Sequence, residues 1–153
     1  MSNNTISGNS AEADAGGMEI RVEDNAVLSL VNNTISDNNA DDAGGINIST
    51  RDSSNTSFRS NTITANASNQ FGAGAGLSIA HRSTASFSII NTVIANSPTD
   101  RNDDCAISSG TITIDSVSII EDQTCGASRF GDPGLLPLAN NGGPTLTLSL
   151  IHI

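Results

Sequence analysis

A short asparagine-containing motif returns along the chain at a nearly constant interval, and this periodicity constrains the fold more than any other feature. The motif reads NNTISGN, NNTISDN, SNTITAN and INTVIAN, and its last residues are Asn9, Asn38, Asn66 and Asn96. These asparagines lie 29, 28 and 30 residues apart. A fixed period of about 20–50 residues is typical of solenoids, in which each repeat stacks on its neighbours.

A second, glycine-rich motif alternates with the first and predicts strands. It reads AGGMEIRV, AGGINIST and AGAGLSIA, beginning at Ala15, Ala43 and Ala73. Apolar and polar residues alternate after the glycines, which is typical of a strand with one buried face. Turn-forming residues separate these short segments and leave no room for a packed helix. We therefore predict an all-β, right-handed parallel β-helix (β-solenoid) of about four to five coils.

Stacked coils assign structural roles to the repeated residues. The aliphatic residue of each asparagine motif should form one buried ladder, made of Ile6, Ile35, Ile63 and Val93. The terminal asparagines should accept left-handed corner conformations and hydrogen-bond from coil to coil. The glycines at the second corner, Gly17, Gly45 and Gly76, should permit backbone angles that a side chain would obstruct. Ser88 breaks the pattern of apolar residues that precede the motif, which predicts a local bulge.

The cysteines point to a disulfide rather than to a metal site. Cys105 and Cys125 form no CxxC pattern, and no histidine lies near either of them in sequence. In an exported protein they would close a loop of about twenty residues, worth about 3 kcal/mol. In a cytosolic protein they would be two inert buried thiols.

The charge balance argues against polyanionic partners. The chain carries a formal net charge of −10, and its six basic residues are arginines scattered singly. Nucleic acids and anionic membranes require clustered basic residues, so neither is an expected partner. No apolar run reaches the length of a membrane span, and no leader segment opens the chain, so we expect any export signal to lie upstream.

Few residues suggest chemistry. His81 and Arg82 are the one acid/base candidate, but no pair of carboxylates recurs beside them, and an exposed pair at the end of a strand is the expected arrangement. Calcium is the one cofactor with any candidate ligands, namely Asp41, Asp42, Asp103 and Asp104. The alternative for these acids is that they form solvated turns. We assign no catalytic and no cofactor-binding residue.

The repeats resemble those of bacterial surface proteins. AGGI at 43–46 and FRSN at 58–61 resemble the GGAI-like and FxxN elements of the polymorphic outer membrane protein type. The segment DPGLLPLANNGGPT at 132–145 is similar to the one that closes the β-helix of many large anchored surface proteins. The chain departs from that pattern at LSLIHI, 148–153, which matches the translation of a transposon end used in sequencing libraries. We interpret 148–153 as an adapter artefact, so His152 carries no functional weight.

These observations predict one architectural unit. Coils occupy 1–130, with a less regular final coil at 98–130, and a closing segment occupies 131–147. The resemblance implies a bacterial, extracellular or outer-membrane location within a longer parent chain. We expect a non-catalytic, structural or adhesin-like role, with a host or environmental polysaccharide, a surface protein or neighbouring coils as partners. The alternative is a polysaccharide-binding module, or a lyase or hydrolase of the pectate-lyase-like β-helix type.

Overall fold

The chain folds into a parallel β-solenoid of about four turns. The computed structural model describes residues 1–70, 73–82, 84–98, 103–142 and 146–148. Apart from one short 3₁₀ turn at Thr124–Gly126, the regular elements of these residues are strands. They are β1 (Thr5–Ser7), β2 (Met18–Val22), β3 (Val27–Val31), β4 (Thr34–Ser36), β5 (Asn39–Ala40), β6 (Ile46–Thr50), β7 (Asn55–Arg59), β8 (Thr62–Thr64), β9 (Ala67–Ser68), β10 (Gly74–His81), β11 (Ser86–Ile90), β12 (Val93–Ala95), β13 (Asp103–Ser109), β14 (Thr113–Ile114) and β15 (Ile119–Ile120). The all-β prediction is confirmed.

Equivalent strands of successive coils form three long parallel sheets. The first sheet has the order β1-β4-β8-β12-β15, the second β2-β6-β10-β13 and the third β3-β7-β11-β14. A short pair, β5 and β9, lies between the first and second sheets in chain order. Each strand pairs with its equivalent one coil away, so the repeat in the sequence is also the repeat of the hydrogen bonding.

The core lies inside the coils and is filled by the inward-facing residue columns of the three sheets. Alternation in β6 places Ile46, Ile48 and Thr50 inside, and each of the three is fully buried. The third sheet contributes Leu30, Phe58 and Ile89 to the same core. Phe58 is paired with Leu30 of the coil before it and with Ile89 of the coil after it. Buried aliphatic and aromatic groups in contact supply most of the favourable free energy of such a stack.

The predicted register of the fourth asparagine motif is wrong by one residue. The first three members of the aliphatic ladder pair as expected, since Ile6 is opposite Ile35 and Ile35 is opposite Ile63. Opposite Ile63, however, lies Ile94, which is fully buried, whereas Val93 is opposite Thr62 on the outer face. The repeat is longer here, since the backbone N–H of Asn61 donates to the Thr92 hydroxyl, 31 residues away, whereas that of Asn33 donates to Asn61, 28 residues away.

The same shift removes the predicted bulge at Ser88 and changes the role of Asn96. Strands β7 and β11 pair without interruption, with Ile89 opposite Phe58 and Ser88 opposite Ser57. Asn96 then occupies an exposed left-handed corner with φ 58°, and it is not the buried equivalent of Asn66. Register shifts occur instead between β10 and β13, at Gly74/Leu77 and at Ile79/Ala80.

The last part of the chain leaves the stack. After Gly131, an isolated antiparallel bridge joins Ala139 to Thr147. The Thr5 hydroxyl donates to the Leu146 carbonyl at 2.7 Å, so this closing segment reaches the first sheet at β1. Pro144 and His152 lie outside the described residues.

No helix within the described part of the chain has the length and apolar character of a membrane span.

Candidate functional site

Two ladders of asparagine side chains run through the interior from coil to coil. In the first, both the backbone N–H and the side-chain Nδ2 of Asn4 donate to Asn33 Oδ1, and Asn33 donates in the same way to Asn61 Oδ1. Asn9, Asn38 and Asn66 form the second ladder with the same geometry. Nδ2 of Asn66 also donates to the Ile35 carbonyl at 3.0 Å. Each buried amide in the middle of a ladder therefore both donates and accepts.

Hydroxyl groups continue the first ladder where asparagine ends. The Thr92 hydroxyl accepts the N–H of Asn61 at 3.3 Å, and the Ser118 hydroxyl accepts the N–H of Thr92 at 3.0 Å. The chain therefore keeps an inward hydrogen-bond acceptor at this corner although the residue type changes. An unpaired backbone N–H would otherwise be buried here.

The left-handed corner and the buried ladder belong to adjacent residues. Positive φ occurs one residue before each ladder position, at Asn3, Asn32, Ser60 and Asn91 in the first set and at Gly8, Asp37, Ala65 and Asn96 in the second. The ladder asparagines themselves are not among the residues with positive φ. The predicted corner conformation is therefore correct for the motif but wrong for Asn9, Asn38 and Asn66.

The paired glycines serve close packing rather than unusual backbone angles. Gly17, Gly45 and Gly76 are not among the glycines with positive φ. They stack on one another, and a Cβ atom on Gly45 would lie 2.3 Å from the Gly76 carbonyl oxygen. A Cβ on Gly17 would lie 2.5 Å from the Gly45 oxygen. The predicted reason for these glycines is corrected: successive backbones approach too closely for a side chain.

His81 is buried, which corrects the expectation of an exposed His-Arg pair. The residue is 5% exposed, and its Nδ1 lies 2.7 Å from the Thr50 hydroxyl. The ring meets Phe87 edge to face, with centroids 6.4 Å apart. Strand alternation explains the burial, because His81 is opposite Thr50 on the inner row. Arg82, the next residue, is exposed, so the two side chains occupy different environments.

The first pair of candidate calcium ligands does not converge. Asp41 is exposed, and its carboxylate accepts a hydrogen bond from Asn69 Nδ2 at 3.0 Å. Asp42 borders a shallow groove with Asn47, Gln70 and Ser78. Across the described part of the chain, no three His, Cys, Asp or Glu side chains come together as metal ligands would.

The second candidate pair divides between surface and interior. Asp103 is exposed, whereas Asp104 is buried. The Asp104 carboxylate accepts the N–H of Ser97 at 3.2 Å and that of Asp122 at 3.3 Å. Burial raises the pKa of Asp104, and the nearby negative charge of Asp122 also raises it. These contacts give Asp104 a structural role in joining the final coil to the turn at Asp122.

The disulfide lies beside this carboxylate. Cys105 and Cys125 are bonded, with their Cα atoms 5.8 Å apart, which confirms the expected pairing. The N–H of Cys105 donates to the Thr124 hydroxyl at 3.1 Å. The bond therefore fastens β13 to the 3₁₀ turn in the least regular coil.

Sequence reasoning missed a groove lined by arginines. Arg21, Ser49, Thr50, Arg51, Ala80 and Arg82 surround a groove of about 300 Å³ on the second sheet. Arg51 and Arg82 each stand six residues after a stacked glycine, Gly45 and Gly76. Aligning the glycine motifs by this distance would have shown that the two arginines are neighbours rather than scattered residues.

Glu23 contacts two of the three arginines of this groove. It occupies the equivalent position one coil before Arg51, and its carboxylate accepts a hydrogen bond from Arg51 Nη2. The Arg21 Nε lies 3.8 Å from the same carboxylate oxygen. The hydrogen bond to Glu23, and then its charge, raise the pKa of Arg51.

Comparison of the chain with protein-family models, with curated proteins and with solved structures found no significant match of any of the three kinds. The β-solenoid fold of about four turns is therefore established by the structure, whereas no match supports membership of the chain in a particular repeat family.

Proposed function

We propose that the chain is the β-solenoid of a secreted or surface-displayed bacterial protein with a structural or adhesive, non-catalytic role. The observation that carries this proposal is the outer face of the third sheet, where Ser29, Ser57, Ser88 and Thr113 form one column, exposed at Ser29 and Thr113 and half-buried at Ser57 and Ser88. A column of short hydroxyl side chains repeated at the coil spacing offers many similar weak contacts. Such a surface suits adhesion or stacking better than the selection of a single small substrate.

The disulfide supports the extracellular location. Cys105 and Cys125 are paired, and disulfides persist in oxidising compartments and are rare in the cytosol. The repeats resembling polymorphic outer membrane protein elements point to the same location. Together they favour display outside the cytoplasm, as a passenger or stalk.

The side-chain arrangement argues against a lyase or hydrolase, the alternative function. His81 has its ring in the interior, and Asp104 is buried, with its carboxylate accepting backbone hydrogen bonds from Ser97 and Asp122. Phe58 and Phe87 stack in the core at 5.1 Å, so they offer no platform for a sugar ring. Catalysis on a polysaccharide would need an accessible base and converging carboxylates.

The test is retention without turnover. Beads carrying the full chain should be retained on one or more surfaces in a panel of polysaccharides and whole cells, while beads carrying the reduced, denatured chain should not. Unsaturated uronates and reducing sugar ends should not appear in the same wells. Formation of either product would overturn the non-catalytic assignment, and equal retention of folded and denatured chain would overturn the adhesive one.

A further inference from the structure

We propose that the groove formed by Arg21, Arg51 and Arg82 binds the carboxylates of a uronate-bearing polysaccharide. This inference rests on the proposed adhesive function and names its partner. Half of the six basic residues of the chain line this one groove, although the formal net charge of the whole chain is −10. The groove therefore gathers half of the basic side chains of an otherwise acidic molecule.

The walls and the floor of the groove have different side chains. Along the outward row, Arg21 is opposite Ser49, and Ser49 is opposite Ala80, so small side chains succeed a long one. Arg51 and Arg82 rise beside this row at equivalent positions of adjacent coils, since the Arg82 N–H donates to the Thr50 carbonyl at 2.9 Å. Small residues form the floor, and guanidinium groups form the wall.

Stacking two arginines at neighbouring positions is unfavourable unless anions offset their repulsion. Glu23 partly offsets it by binding Arg51 and approaching Arg21. Asp24 and Asp52, at the corner that follows, add negative charge near Arg51 but do not line the groove. Within the described residues Arg82 has no ion-pair partner, so its guanidinium remains available to an external anion.

Glu23 indicates which anion fits. The chain's own carboxylate binds Arg51 at the end of the column, and a ligand carboxylate could bind Arg82 in the same manner one coil further along. The carboxylates of a polymer, placed at regular intervals, would bind Arg82 and the Arg51 N–H groups that Glu23 does not accept from. The hydroxyls of the same polymer would contact Ser49. The planar, forked guanidinium suits carboxylates because it can donate two parallel hydrogen bonds.

The lining residues favour a polysaccharide over an acidic peptide or a nucleic acid. None of the six is aromatic, so no platform is present for stacking a base. Ser49 and Ala80 provide no apolar pocket to anchor the side chain of a peptide. A shallow groove with hydroxyl and guanidinium donors matches a chain of hydroxyls and carboxylates.

The experiment measures binding of the intact chain to polygalacturonate, with fully methyl-esterified polygalacturonate as the matched neutral probe. Isothermal titration with a chelator present prevents bridging by calcium. We expect binding of the acid and not of the ester, weakened by added salt because exposed charges are screened. Equal binding of both polymers would overturn the proposal, as would stronger competition by oligoglutamate or single-stranded DNA than by oligogalacturonate.

Three variants test the groove itself, and a fourth serves as the control. Arg82→Gln should weaken binding by about fivefold, the range expected for an exposed charge pair, and the matched control Arg59→Gln by less than about twofold. Ala80→Leu should weaken binding without changing charge, because it fills the floor. Glu23→Gln should strengthen binding by roughly threefold, since it frees Arg51 and Arg21. An increase in affinity cannot arise from misfolding, and circular dichroism checks the other variants.

The outcomes separate this inference from the adhesive function. If Arg82→Gln behaves like Arg59→Gln, or Glu23→Gln gives no gain, the groove is not the binding site. Retention of the chain on another surface in the bead assay would then leave the adhesive role standing. Failure to bind polygalacturonate together with failure of retention on every surface would overturn both.

Discussion

Asparagine performs two different tasks at neighbouring positions of the same corner. Asn32 takes the left-handed conformation with φ 53°, and its neighbour Asn33 turns its amide into the interior. Asparagine tolerates the first task because its short side chain costs little at positive φ. It is suited to the second because one amide can accept from the coil before and donate to the coil after. In the NN pair, the first asparagine therefore forms the corner and the second belongs to the hydrogen-bonded ladder.

Asn66 lies in the middle of the buried ladder, and its loss should be costly. Asn66→Ala leaves the N–H and Nδ2 of Asn38 and the Ile35 carbonyl without this partner. We expect the free energy of unfolding to fall by roughly 2–4 kcal/mol, measured by urea denaturation. The control Asn39→Ala, on an exposed strand residue, should lower it by less than about 0.5 kcal/mol. Equal effects would show that the ladder contributes no special stability.

Glycine likewise has two uses, which alanine substitution should separate. At Gly45 a Cβ would lie 2.3 Å from backbone oxygen, so Gly45→Ala must displace an entire coil. We expect it to prevent folding or to cost more than about 4 kcal/mol, the range of exceptional single substitutions. Gly8 has φ +68° and open space around it, so Gly8→Ala should cost about 1 kcal/mol. Thermal unfolding of both variants provides the comparison.

At the scale of strands, alternation of side chains is a better guide to register than similarity of letters. Matching INTVIAN to SNTITAN places Val93 opposite Ile63. Alternation within β11, where Phe87 and Ile89 are buried, instead aligns Ile89 with Phe58 and hence Ile94 with Ile63. A slip of one residue exchanges the buried and exposed faces, so burial determines which alignment the chain adopts.

Alanine substitution of neighbouring residues in β12 tests this register. Ile94→Ala removes a fully buried side chain between Ile63 and Ile120, and we expect a loss of about 2–5 kcal/mol of unfolding free energy. Val93→Ala changes the outer row and should cost less than about 1 kcal/mol. Chemical denaturation with both variants gives the ranking. The opposite order would restore Val93 to the ladder.

At the scale of the whole molecule, periodicity predicted the stack but not the surface groups that it brings together. The interval between asparagine motifs led to parallel sheets, and the two cysteines led to the disulfide. The arginine groove was missed because Arg51 and Arg82 are 31 residues apart in sequence and become neighbours only in the correct register. His81 was predicted to lie outside because it is polar. The alternation of side chains along β10 instead turns it inward, toward Thr50.

The disulfide should stabilise one end of the molecule more than the other. Cys105→Ala with Cys125→Ala opens a loop of 20 residues and should cost about 3 kcal/mol. Because stacked coils interact mainly with their neighbours, amide hydrogen exchange should accelerate in β13 and β15 and change little in β4 and β8. A reductant should destabilise the native chain and leave the double variant unaffected. Uniform acceleration across the strands would contradict this nearest-neighbour behaviour.

The hydrogen bonds between coils join residues that are distant in sequence, separated by 28 and 29 residues in the first coils, 31 at Asn61 and 26 at Thr92. The first such contact closes a long loop, which costs conformational entropy. This free-energy cost is offset only when a further coil packs on the first pair of coils. Each later coil repeats the same closure on a template that already exists. Folding should therefore begin slowly, as in other proteins dominated by non-local contacts, and then continue by the addition of one coil after another.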